Sequence, residues 1–145
     1  MNTTMKLTKK YFQEGRYTLT LLSDRRDCIK STERGVAPLL ALYEEGVCVE
    51  QFSAADRVVG KAAAFLYILL GVREVWAEVI SQPAKALLEQ HGIAVECRTE
   101  TEMIRNRAGD GYCPMEQAVL NETDPSRALE LIRRKRAELA EKRAN

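Results

Sequence analysis

The chain has 145 residues, 46% apolar and 30% charged, with four cysteines, one histidine and a net charge of +1. That size and apolar content predict one domain, spanning 1–145, that buries its own core, and they exclude a disordered chain. Near-neutrality excludes a global field for nucleic acid or anionic membrane, so any such binding has to be local.

Cys28, Cys48, Cys97 and Cys113 form no C-x-x-C pair, and His91 alone adds too few zinc-preferring donors for a recognisable site. Reduced thiols in a cytoplasmic protein are therefore expected, with no metal and no cofactor. The start of the chain has no long apolar core followed by a small-residue cleavage site, so it does not read as a secretory signal. The most apolar run, Ala62 to Val72, is too short for a bilayer, which needs about 20 residues.

In chain order, Met5 to Gln13 carries Leu7, Tyr11 and Phe12 at loosely helical spacing and stops at Glu14-Gly15, predicting a short helix that covers a sheet edge. Tyr17 to Leu22 and Cys28 to Ser31 are strand-like runs around the break Ser23 to Arg26, an antiparallel hairpin. Val36 to Tyr43, with Pro38 in its first turn and Gly46 beyond its end, predicts a helix. Ala55 to Lys61 leads into Ala62 to Gly71, a helix so apolar on most faces that it belongs at the centre of the fold. Val75 to Ile80, Pro83 to Gln90 and Ile93 to Cys97 read as strand, helix and strand, the spacing of a parallel crossover. Met103 to Tyr112 is polar and glycine-bearing, mostly loop. Cys113 to Leu120 predicts a short helix with Pro114 first. Asp124 caps a last helix, about 124–143, with an uneven apolar face and a basic end from Arg133 to Arg143.

The central helix after a small-residue turn, and the strand ending Ile80-Ser81-Gln82-Pro83 that feeds a helix, resemble the cytidine-deaminase-like superfamily. That resemblance implies a three-layer αβα sandwich on a mixed sheet, with a core over about 16–120. Zinc deaminases open the first helix with H-x-E and the second with P-C-x-x-C. Here the matching positions hold Lys61 and Ala63, then Ala84 and Leu87, so no zinc ligand is kept. Within the superfamily the chain is similar to a small prokaryotic family of domains of unknown function, marked by Asp56 to Ala64 (D-x-V-V-G-K-A-A-A) and Cys113 to Glu116 (C-P-M-E). The resemblance implies a fold and a place for a site, and no reaction.

Five residues are candidates for that site: Asp56, Lys61, Asn106, Cys113 and Glu116. Lys61 at a helix start joins an ammonium to free backbone amides, an arrangement that suits phosphate or carboxylate; the bland alternative is an exposed lysine or one paired with Asp56. Cys113 at a helix start is placed for thiolate chemistry, or is a small buried cap with Glu116 at capping-box spacing. Arg105, Asn106, Arg107 and Asp110 form a charged loop, ligand-recognising or merely solvated.

The leading expectation is a zinc-free domain that binds a small anionic or nucleotide-like ligand near Asp56, Lys61 and the segment Asn106 to Glu116. One competitor is an enzyme with Cys113 as nucleophile, Lys61 stabilising negative charge and Glu116 or Asp56 handling protons. Another is a protein- or nucleic-acid-interaction module using the basic last helix. Glu130, Glu138 and Glu141 interleave with its basic residues, which argues against nucleic acid. Self-association is left open.

Overall fold

The computed structural model describes residues 3–106 and 108–144, the side chains of 143 and 144 excepted. Arg107 and the side chain of Arg143 lie outside the described residues. Helix α1 (Thr3–Gly15) precedes a hairpin of β1 (Leu19–Leu22) and β2 (Cys28–Ser31), then come α2 (Ala37–Glu44), β3 (Ser53–Val59), α3 (Lys61–Leu70), β4 (Glu74–Ser81), α4 (Gln82–Gln90) and β5 (Ala94–Thr101). The short α5 (Pro114–Ala118) and the long α6 (Pro125–Ala144) complete an α/β fold with a five-stranded mixed sheet and six helices among the described residues.

The strand order is β2-β1-β3-β4-β5. β1 runs antiparallel to both β2 and β3, and β3, β4 and β5 are mutually parallel. The two parallel steps are crossovers through α3 and α4, whose buried residues join one core cluster on one side of the sheet. Val59 ends β3 and Lys61 begins α3, while Ser81 ends β4 and caps α4, accepting from the Ala84 N–H at 3.3 Å. Both helix N-termini therefore stand at the carboxyl ends of parallel strands, where α/β sheets bind ligands.

Two expectations change. The stretch Ala55 to Lys61 is not only a lead-in: Ser53–Val59 is the middle strand of the sheet. It carries two alanines, an Asp and an Arg, poor strand formers without apolar alternation, because Ala54 and Ala55 face opposite helix-covered sides and both are fully buried. Small side chains let α3 and α1 approach the strand from either side.

Second, α1 covers a face and not an edge. Met5 and Phe12 pack on Ala55 and Trp76, and the Phe12 and Trp76 rings meet edge-on with centroids 5.8 Å apart. The sequence understates this face because two threonines share it. Thr8 is buried with its hydroxyl donating to the Thr4 carbonyl at 2.7 Å, which satisfies a polar group inside an apolar contact.

Central α3 behaves as its composition demands: Ala62, Ala64, Phe65, Leu66 and Tyr67 are fully buried, and Gly71 ends it in the left-handed conformation at φ 76°. Buried side chains also lie outside 16–120, with Ala128, Leu129 and Ile132 of α6 in the main core. No helix among the described residues is long and apolar enough to cross a membrane.

Candidate functional site

The turn from β3 into α3 gathers the candidate residues. Gly60 is extended, at φ −98° and ψ −178°, and offers no side chain to the amides that open α3. Glu116 supplies the missing cap from α5: the Lys61 N–H donates to its Oε2 at 2.6 Å and the Ala62 N–H also bonds it. The carboxylate sits so close that a Cβ at Gly60 would collide with it. Burial pushes the Glu116 carboxyl up, opposed by those two amides and by the Lys61 charge. Burial pulls the Lys61 ammonium down, with Glu116 and Glu122 opposing. The Lys61 Nζ donates to the Leu120 carbonyl at 2.9 Å and stands 5.7 Å from the centre of the Phe65 ring.

The alternative roles expected for Lys61 and Glu116 are thereby corrected. Lys61 does not pair with Asp56; its ammonium closes onto the end of the α5 segment. Glu116 does not cap its own helix in a box with Cys113, which makes no side-chain cap bond. The reason is geometric: α5 is five residues long, and its first turn is aimed across the fold at a longer helix whose N-terminus has a glycine in place of a cap.

Asp56 lies on β3 with its carboxylate turned onto α3, where the Tyr67 hydroxyl donates to Oδ2 at 2.6 Å. Burial pushes the Asp56 carboxyl up to about 7, against the Tyr67 bond and the Val58 and Arg57 amides. Burial and the adjacent Asp56 charge push the Tyr67 hydroxyl up as well. Tyr67 is the partner that sequence reasoning missed. Its signal was there: a phenol in an otherwise apolar buried run needs an acceptor, and Asp56 is the acid nearest in sequence on the N-terminal side.

Cys113 is half-buried, packs against the main core, and bonds the Ile104 carbonyl through its N–H at 3.0 Å. The only histidine, His91, follows α4 at the opposite end of the sheet, with Nδ1 3.0 Å from the Leu87 carbonyl. Asn106 bonds inside its own loop, donating from Nδ2 to Asp110 at 2.9 Å, while Arg105 and Tyr112 bridge the base of the loop. Lys61 and Glu116 are thus in direct contact, Asp56 sits on the strand that leads to them, Cys113 begins the helix that carries Glu116, and Asn106 has its partners elsewhere. One surface depression of about 260 Å³ lies beside Arg73 and His91, and another of about 280 Å³ lies between α5 and α6, where it is lined by Gln117 and Ala118, next to Glu116 in the chain.

Zinc does not fit this donor set. Ala63, Ala84 and Leu87 are core side chains without a ligand atom, and Lys61 is a cation already bonded. Among the described residues no group of three or more His, Cys, Asp or Glu side chains is placed to hold a metal ion.

No curated protein matches the chain. The crystal structure of a DUF1893 family protein from Thermotoga maritima superposes with a TM-score of 0.85 at 25% identity, over 93% of this chain and 91% of that one. The model of the domain of unknown function DUF1893 matches residues 7–135, which takes in both the Asp56 to Ala64 and Cys113 to Glu116 motifs. The chain belongs to the DUF1893 family of domains of unknown function.

Proposed function

We propose that this domain is a zinc-free relative of the cytidine-deaminase-like fold that binds a small anionic or nucleotide-like ligand where β3 enters α3. Supporting the kinship, α3 and α4 begin at the carboxyl ends of adjacent parallel strands, the places where H-x-E and P-C-x-x-C stand in the zinc enzymes. The single observation that carries the binding reading is the internal carboxylate of Glu116 on the Lys61 and Ala62 amides beside the Lys61 ammonium. The site is built for an anion and holds one of the protein's own. A ligand carboxylate or phosphate would compete with Glu116 for the same donors, and the Asp56–Tyr67 pair lies on the same strand–helix seam, with Tyr67 nearly two helix turns beyond Lys61.

A reaction at Cys113 has less support. A five-residue helix supplies little dipole, and the one imidazole is at the other end of the sheet. Calorimetric titration with inorganic phosphate and with a nucleoside monophosphate tests the binding reading. Binding is expected to weaken about tenfold or more in Lys61→Ala, the loss of one charge-assisted contact. Absence of binding by both probes, or affinity unchanged in Lys61→Ala, would overturn it.

A further inference from the structure

The sheet ends at β5, and that edge has a partner-shaped chemistry of its own. β5 is eight residues long, packs on β4 and α4, and among the described residues has no strand on its outer side. The Ala94 N–H donates to Arg73 on the β4 side, so by strand alternation the amides and carbonyls of Val95, Cys97 and Thr99 point away from the sheet. Among the described residues β5 has a strand on its β4 side alone, so those outward groups have no partner in a sheet ladder.

Charge gives the edge a register. Between the paired residues Asp56–Ala77 and Val58–Val79, Arg57 of β3 stands beside Glu78 of β4, with Nε 4.0 Å from Oε2. Between Ala77–Cys97 and Val79–Thr99, Glu78 stands beside Arg98 of β5. A row of positive, negative and positive charge therefore crosses the sheet and stops at its free edge on Arg98, which has no carboxylate within 4.0 Å among the described residues. Glu96, Arg98 and Glu100 alternate along the strand and all are exposed.

We propose that β5 pairs antiparallel with β5 of a second copy of this chain, with Cys97 opposite Cys97 at the two-fold axis. Antiparallel pairing requires outward-pointing residues to face each other, and the symmetric registers near the middle of β5 are centred on Glu96, Cys97, Arg98 or Thr99; the last overlaps less of the strand than the Cys97 register and needs Glu100, which already pairs with Lys85 at 3.9 Å. Centring on Glu96 sets Glu96 against itself. Centring on Arg98 sets Arg98 against itself and Glu96 against Glu100. Centring on Cys97 sets Glu96 against Arg98 twice, at the close, non-hydrogen-bonded positions where side chains interact most, and carries the alternating row on into the second copy. The outward groups of Val95, Cys97 and Thr99 then find their partners in the second strand, and two five-stranded sheets become one.

Sedimentation velocity over a concentration series tests this. The wild type is expected to dimerise, Arg98→Glu and Glu96→Arg each to weaken the dimer about tenfold or more by placing like charges opposite, and the double exchange Glu96→Arg with Arg98→Glu to restore it. A short bis-maleimide should join Cys97 to Cys97, because directly opposed strand residues have Cα atoms about 5 Å apart. A chain that stays monomeric throughout would leave this edge to a strand of another protein, if to anything, and overturns the proposal. So does a dimer that both single variants leave intact, or a double exchange no tighter than the singles.

Discussion

Gly60 is a glycine for room and not for rotation. Its φ of −98° suits any residue, but the Glu116 carboxylate occupies the space a Cβ would take. Gly60→Ala is therefore expected to unseat Glu116 from the α3 amides and cost about 1–3 kcal/mol, the range for leaving buried polar groups unpaired. In a Glu116→Ala background the same substitution meets no obstacle and should cost clearly less. Chemical denaturation of the four chains checks this, and additive effects would contradict the contact. Asp56 makes a pH prediction. Its carboxyl is raised from 3.8 to about 7, so between about pH 4 and 7 the folded chain holds a proton that the unfolded chain has released. Stability then falls as pH rises through that window and levels off above it. Glu116, also raised, adds a slope of the same sign. The comparison that isolates Asp56 is Asp56→Asn against wild type: urea midpoints should move in favour of the variant from pH 5 to pH 8, whereas parallel curves would refute the assignment. Both acids were visible in the sequence, but their partners were not equally so. Tyr67 is 11 residues from Asp56 and within reach of a strand–helix reading. Lys61 is 55 residues from Glu116, and a local pattern cannot express that contact; the spacing to Cys113 suggested a nearer cap instead.

At the scale of elements, legibility followed how much of the sequence pattern was local. The hairpin, α2, the β4-α4-β5 crossover and the start of α6 are marked by turn residues, by proline near the first turn, and by capping side chains, such as Asp124 accepting from the Ser126 N–H at 3.0 Å. β3 lacked any such mark. Covered on both faces by helices, it needed small residues and not alternation, and its Asp and Arg belong to contacts made by other elements. α1 was legible as a helix and misplaced as cover for an edge, since Thr4 and Thr8 look polar and are buried. The consequence of its true position is measurable. Phe12→Ala removes the ring that meets Trp76 and should cost about 3–5 kcal/mol, the usual range for a buried Phe truncation. The fluorescence of Trp76, the only tryptophan in the chain, should shift to the red at the same time. A variant with native stability and an unshifted spectrum would mean that α1 does not seal this face.

Across the whole molecule, a mixed sheet with its parallel half on one side directs two helix N-termini to one end, and the family motifs meet at the first of them. Sequence located that end because Asp56 to Ala64 and Cys113 to Glu116 are distinctive strings. It could not say that the second string closes on the first, which is the feature that makes the site an occupied anion seat. The most direct measurement is an amide-resolved NMR titration with inorganic phosphate and a nucleoside monophosphate. The Lys61 and Ala62 amides are expected to shift saturably as ligand replaces Glu116, and Lys61→Ala to move saturation to about tenfold higher ligand or more; shifts confined to other residues, with Lys61 and Ala62 unmoved, would contradict a binding site at the head of α3.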